Sequence, residues 1–97
     1  MATYMVLSRW TDTGLEKVKD SPTRIDAFKK MARNVGGEVR EVYLALGAID
    51  TVCMVSAPDD EAAARLALAL GAQGNVHTET VRLFSEAEFR KLLTALP

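Results

Sequence analysis

Between residues 39 and 57 two β-rich runs follow one another with only Gly47-Ala48 between them, and no other feature restricts the fold as much. Runs joined so closely must lie antiparallel, because a parallel pair needs a crossover of a dozen residues or more. Elsewhere each strand pattern is followed by a helix pattern. The order is therefore β-α-β-β-α-β with one further helix, the split β-α-β arrangement of ferredoxin-like α+β folds. Right-handed crossovers then give a four-stranded antiparallel sheet with the helices on one face. At 97 residues the chain is expected to form a single domain over 1–97.

The individual signals fit that order. Residues 3–10 are rich in β-branched and aromatic side chains and predict a central strand. Thr11 to Gly14 breaks the pattern as a turn, and 15–19 has room for one helical turn. Ser21-Pro22 predicts a helix start, with Ser21 as the N-cap. Ile25, Phe28, Met31 or Ala32, and Val35 recur at helical spacing until Gly36-Gly37 ends the helix. Asp59 caps a second helix, whose buried stripe is Ala63, Leu66, Ala67 and Leu70, with Gly71 as its stop. Residues 76–84 alternate with polar side chains, as an edge strand does. Ser85 and Glu88 form a capping box for the last helix, with Phe84 and Phe89 placed for a hydrophobic staple.

The faces of the central hairpin carry a second constraint. In 49–57 one face holds Ile49, Thr51, Cys53, Val55 and Ala57, and the other holds Val52 and Met54 between Asp50 and Ser56. In 39–46, Val39, Tyr43 and Ala45 alternate with Val42, Leu44 and Leu46. Both faces are apolar at mid-hairpin, but one layer of helices covers only one of them. A second copy of the same sheet is the simplest cover for the other, so a homodimer through the sheet face is expected.

Composition narrows the function classes. With 12 basic and 13 acidic residues the formal net charge is −1, which gives no electrostatic footprint for nucleic acid or an anionic membrane. Cys53, alone, cannot form an intramolecular disulfide, and residues 1–10 lack the pattern of a secretory signal. A cytoplasmic setting is expected. No metal-ligand spacing, serine-histidine-acid set, phosphate loop or dinucleotide fingerprint occurs, so no cofactor or metal is expected.

Several short motifs together resemble one family. They are Leu7-Ser8-Arg9-Trp10-Thr11-Asp12 with Gly14, Val18-Lys19-Asp20-Ser21-Pro22, residues 57–63, Gly74-Asn75-Val76, and Thr78-Glu79-Thr80. They are similar to the GYD-domain proteins, small bacterial and archaeal proteins without an established activity. Gly47 and Asp50 sit where that family has its Gly-x-Tyr-Asp motif, but Ile49 stands in place of the usual tyrosine. The resemblance implies a dimeric α+β barrel, in which two ferredoxin-like units pack sheet against sheet.

Six residues are candidates for a site. Asp50 could be a proton acceptor or hydrogen-bond anchor, or an acceptor for turn amides near Gly47-Ala48. His77 could be a general base or axial haem ligand, or an exposed edge-strand residue. Arg9 and Trp10 could bind a small anion or aromatic ligand at a cleft mouth, or form a surface ion pair and a lid on the core. Tyr4 and Tyr43 could orient a ligand or simply pack. Cys53 reads as an inert buried thiol. The function that fits these residues is binding of a small hydrophobic or anionic molecule in a cleft between sheet and helices. The alternatives are a cofactor-independent oxygenase or isomerase, and a structural or regulatory interaction module.

Overall fold

A computed structural model describes Met1–Pro97. Strand β1 (Ala2–Trp10) leads through a short helix α1 (Asp12–Glu16) and a single 3-10 turn (Val18–Asp20) into helix α2 (Ser21–Asn34). Strands β2 (Glu38–Leu44) and β3 (Thr51–Ala57) follow, then helix α3 (Asp60–Ala72), strand β4 (Val76–Leu83) and helix α4 (Glu86–Thr94). The sheet order is β2-β3-β1-β4 with every neighbouring pair antiparallel, and helices α2 and α3 cover one face. The expected ferredoxin-like α+β topology is the observed one, with β1 central and β4 at an edge.

The register fixes which side chains face the helices. Tyr4, Val6, Ser8 and Trp10 of β1 lie on that face with Thr51, Cys53, Val55 and Ala57 of β3. Val6, Cys53 and Val55 form the main core with Phe28 and Ala32 of α2 and Leu66 of α3. A second cluster at the opposite end joins Tyr4 and Ala57 to Ala62 and Ala63. The open face carries Met5, Leu7, Val52, Met54, Val81 and Leu83, rimmed by Arg9, Glu41, Tyr43, His77 and Glu79.

Five local expectations change. The first lies after β1, where the expected turn at Thr11 to Gly14 is instead the capped start of helix α1, because the Thr11 hydroxyl accepts from the Gly14 amide. Strict alternation groups Val39 with Tyr43, but a β-bulge between Val39 and Glu41 inserts Arg40 and re-aims the rest of β2. Val39, Val42 and Leu44 therefore share the helix face, while Tyr43 turns to the open one. The two-residue hairpin becomes a six-residue connection, residues 45–50, because β2 ends at Leu44 and β3 starts at Thr51. Ser21 lies inside α2 rather than capping it, and its Oγ donates to the Val18 carbonyl at 2.6 Å. Helix α3 runs through Gly71 to Ala72, and the chain turns instead at Gly74, whose φ is +80°. Gly36 does close α2 as expected, at φ +84°, with the Gly37 amide donating to the Ala32 carbonyl.

Helix α4 is set apart from the rest. Its capping box forms as the sequence predicts. However, it has no substantial packing against any other element, and Phe84, Phe89, Leu92, Leu93 and Leu96 stay about half exposed or more.

Candidate functional site

An apolar cleft of about 330 Å³ lies between the sheet and helices α2 and α3. Its floor comes from inward-facing strand residues at the β1 C-terminal end: Ser8 and Trp10, with Thr51 and Cys53 from β3 and Val42 from β2. Ile25 and Phe28 of α2 and Leu70 of α3 form the opposite wall. Ten of the sixteen lining residues are hydrophobic, which makes the interior suited to an apolar body held by few polar contacts.

Two loops far apart in sequence close the mouth. The Thr11 amide donates to the Asn75 carbonyl at 3.0 Å, and the Thr11 hydroxyl donates to the Gly74 carbonyl at 2.6 Å. The same hydroxyl caps α1 by accepting from the Gly14 amide at 3.1 Å. A Cβ on Gly14 would stand 1.9 Å from the Asn75 carbonyl oxygen, so only glycine allows this approach. Arg24 ties the segment down from α2, donating through Nη1 to the Gly14 carbonyl and through Nη2 to the Lys17 carbonyl, at 3.2 and 2.9 Å.

The six candidates separate in space. Trp10 lines the cleft and Tyr43 borders it, although the Tyr43 hydroxyl turns away to Glu41. Asp50 stands at the rim, where its carboxylate accepts from the Trp10 amide at 3.0 Å. The Asp50 amide meanwhile donates to the Ser8 carbonyl at 2.9 Å. Asp50 thus completes the ladder where β1 outruns β3, and the amide it satisfies belongs to β1 rather than to the Gly47-Ala48 turn. Arg9 and His77 are cross-strand partners on the open face, both exposed, so Arg9 does not share the Trp10 cleft.

Tyr4 lies at the other end of the sheet, where its hydroxyl donates to Asp60 Oδ1 at 2.5 Å beneath Arg82. Burial, reinforced by Asp60, pushes the Tyr4 phenol up to about 12. Burial also pushes the Cys53 thiol up, which keeps it protonated and unreactive.

The polar lining residues Ser8, Thr51, Arg24, Ser21, Gln73 and Asn75 went unread as site residues in the sequence. The first two carried a signal, since they are polar residues at inward positions of otherwise apolar strands. Arg24 carried none, because a basic residue in the first turn of an amphipathic helix ordinarily faces solvent.

The chain is similar to known proteins in sequence and in fold. The chain is 36% identical over 89 residues to the glutamine synthetase and cystathionine beta-lyase binding protein of Thermus thermophilus, covering 91% of this chain and 94% of that protein. Its fold is that of part of MtbAldR, with a TM-score of 0.69 at 20% identity over 88% of this chain and 52% of that one. This chain therefore spans about half the length of MtbAldR. TTHA0845, also from Thermus thermophilus, is 26% identical over 88% of this chain and 95% of its own, with a TM-score of 0.49. A family profile, the GYD domain, matches residues 4–93, nearly the whole sequence, and the chain belongs to the GYD-domain family.

Proposed function

We propose that this protein is a homodimeric binding protein that takes up one small, largely apolar molecule per protomer. The observation that carries the reading is the 330 Å³ cleft, apolar within and bordered by the sole tryptophan, Trp10. The dimer part rests on the open sheet face and on total surface. A folded monomer of 10.6 kDa presents about 5,500 Å² of accessible surface, whereas this chain presents 6567 Å². The excess, on the order of 1,000 Å², is shared between the open sheet face and the unpacked α4, and it is of the size that each partner buries in a standard interface, ~800 Å².

Binding is tested with the neutral fluorophore N-phenyl-1-naphthylamine, read by its own emission and by quenching of Trp10. Saturable binding is expected, and Val42→Trp, which fills the cleft from an edge strand, should abolish it. Binding unaffected by Val42→Trp would refute the site. The dimer is tested by native mass spectrometry. Met54→Lys on the open face should yield a folded monomer, and a wild-type monomer would refute the pairing.

A second reading draws on the similarity to a protein that binds two enzymes: the cleft protein acts by docking on a metabolic enzyme. Co-elution with purified glutamine synthetase or cystathionine beta-lyase supports it. Separate elution of both, with and without a cleft ligand, counts against it. We also propose a cytoplasmic setting, in keeping with the free buried thiol of Cys53.

A further inference from the structure

The polar residues lining the cleft are Ser8, Thr51, Ser21, Arg24, Gln73 and Asn75, and they differ in kind. At the floor, Ser8 and Thr51 are cross-strand partners on the helix face, which places their Cβ atoms about 5 Å apart. Ser8 is only 4% exposed. Neither hydroxyl takes part in any side-chain hydrogen bond of the chain. Both hydroxyls are therefore free to bond a polar atom of a molecule in the cleft.

At the mouth the group is a cation. Arg24 is half-buried, and its guanidinium bonds only to the neutral carbonyls of Gly14 and Lys17. No carboxylate pairs with it, and none of the sixteen lining residues is acidic. Asp50, beside Thr51, is committed to the Trp10 amide. A half-buried guanidinium without a counter-ion attracts an anion, and its planar fork matches a carboxylate. Ile25, Phe28 and Leu70 supply apolar lining for a ring-sized body.

We propose that the cleft selects a small monocarboxylate with an apolar body and a hydroxyl or carbonyl at its far end. The carboxylate meets Arg24, and the far polar atom meets the Ser8 and Thr51 hydroxyls. This rests on the cleft reading given above and adds the chemical class of its ligand. An α-amino acid fits poorly, because the lining holds no acid to pair with its ammonium group.

The experiment uses the full chain and displacement of N-phenyl-1-naphthylamine. Four competitors are compared: 4-hydroxyphenylacetate, 4-hydroxyphenylacetamide without the charge, phenylacetate without the far hydroxyl, and tyrosine. The first should displace the fluorophore about tenfold more effectively than each of the others, as a charge-assisted or buried hydrogen bond requires. Ser8→Ala should erase the preference over phenylacetate and keep the preference over the amide. Arg24→Gln should do the reverse. Each preference is a ratio within one variant, so a general loosening of the fold cancels. Equal displacement by all four, or a ratio unmoved by its variant, overturns the class while the cleft stands. Failure of the fluorophore itself to bind overturns the cleft reading.

Discussion

Tyr4 shows how one hydroxyl can look functional and be structural. Its ring is buried in the second core cluster while its hydroxyl reaches Asp60, which is itself exposed. Tyr4→Phe should cost about 1 kcal/mol in a denaturant titration, since water can replace the phenol at Asp60. The pH dependence has a definite sign. The phenol is raised from its ordinary value near 10 to about 12 by burial and Asp60, so folding favours its protonated form. That contribution is whole below pH 10 and is lost as pH rises through 12. Tyr4→Phe should therefore flatten the alkaline fall in stability. Nothing in the sequence separates this tyrosine from a ligand-orienting one, because Asp60 lies 56 residues away and becomes its partner only in the fold. Asp50 was half legible. A short carboxylate serving backbone amides was foreseeable, but its serving Trp10 depended on β1 extending past β3.

At the scale of elements, the two mouth loops and α4 make opposite predictions. Gly14→Ala drives a methyl into the Asn75 backbone, which cannot give as a side chain would. The expected cost is about 1–3 kcal/mol, with loss of fluorophore binding in the same variant. Helix α4 packs on little, so its cap governs only local order. The Ser85 amide and hydroxyl hold the Glu88 carboxyl below its usual range. That stabilisation is present above the ordinary carboxylate range and is lost as pH falls through the lowered value. Hydrogen exchange of the α4 amides should accelerate in that acid window, and Ser85→Ala should give the same acceleration at neutral pH. Global stability should hardly move in either case. The capping box was legible because S-x-x-E is a local signature. The bulge at Arg40 was not, because Val39 and Tyr43 keep a perfect period of two and only pairing with β3 shows the extra residue. Gly71 failed as a stop because glycine ends a helix where a left-handed φ is required, and here that residue is Gly74.

The whole molecule is long for its mass, at 51 × 30 × 19 Å, with a radius of gyration of 14.6 Å. A compact chain of this length is expected near ~12.5 Å. The difference agrees with the unpacked α4 and with the uncovered sheet face, both of which enlarge the surface. Strand order and helix placement were legible because the hairpin and the β-α-β halves leave few right-handed solutions. The cleft was legible only as a class of place, since its two ends are brought together by β1 pairing with β3 and β4. That pairing also sets the order in which things form. Thr3 meets Leu83 and the Thr11 hydroxyl meets Gly74, so the latch over the cleft joins segments 63 residues apart. Contacts of such span close late in folding. A molecule held beneath the latch is therefore a clasp on time rather than on shape. In stopped-flow experiments 4-hydroxyphenylacetate should slow the unfolding limb and leave the refolding limb where it was, because the place it occupies does not yet exist when the chain commits to its fold.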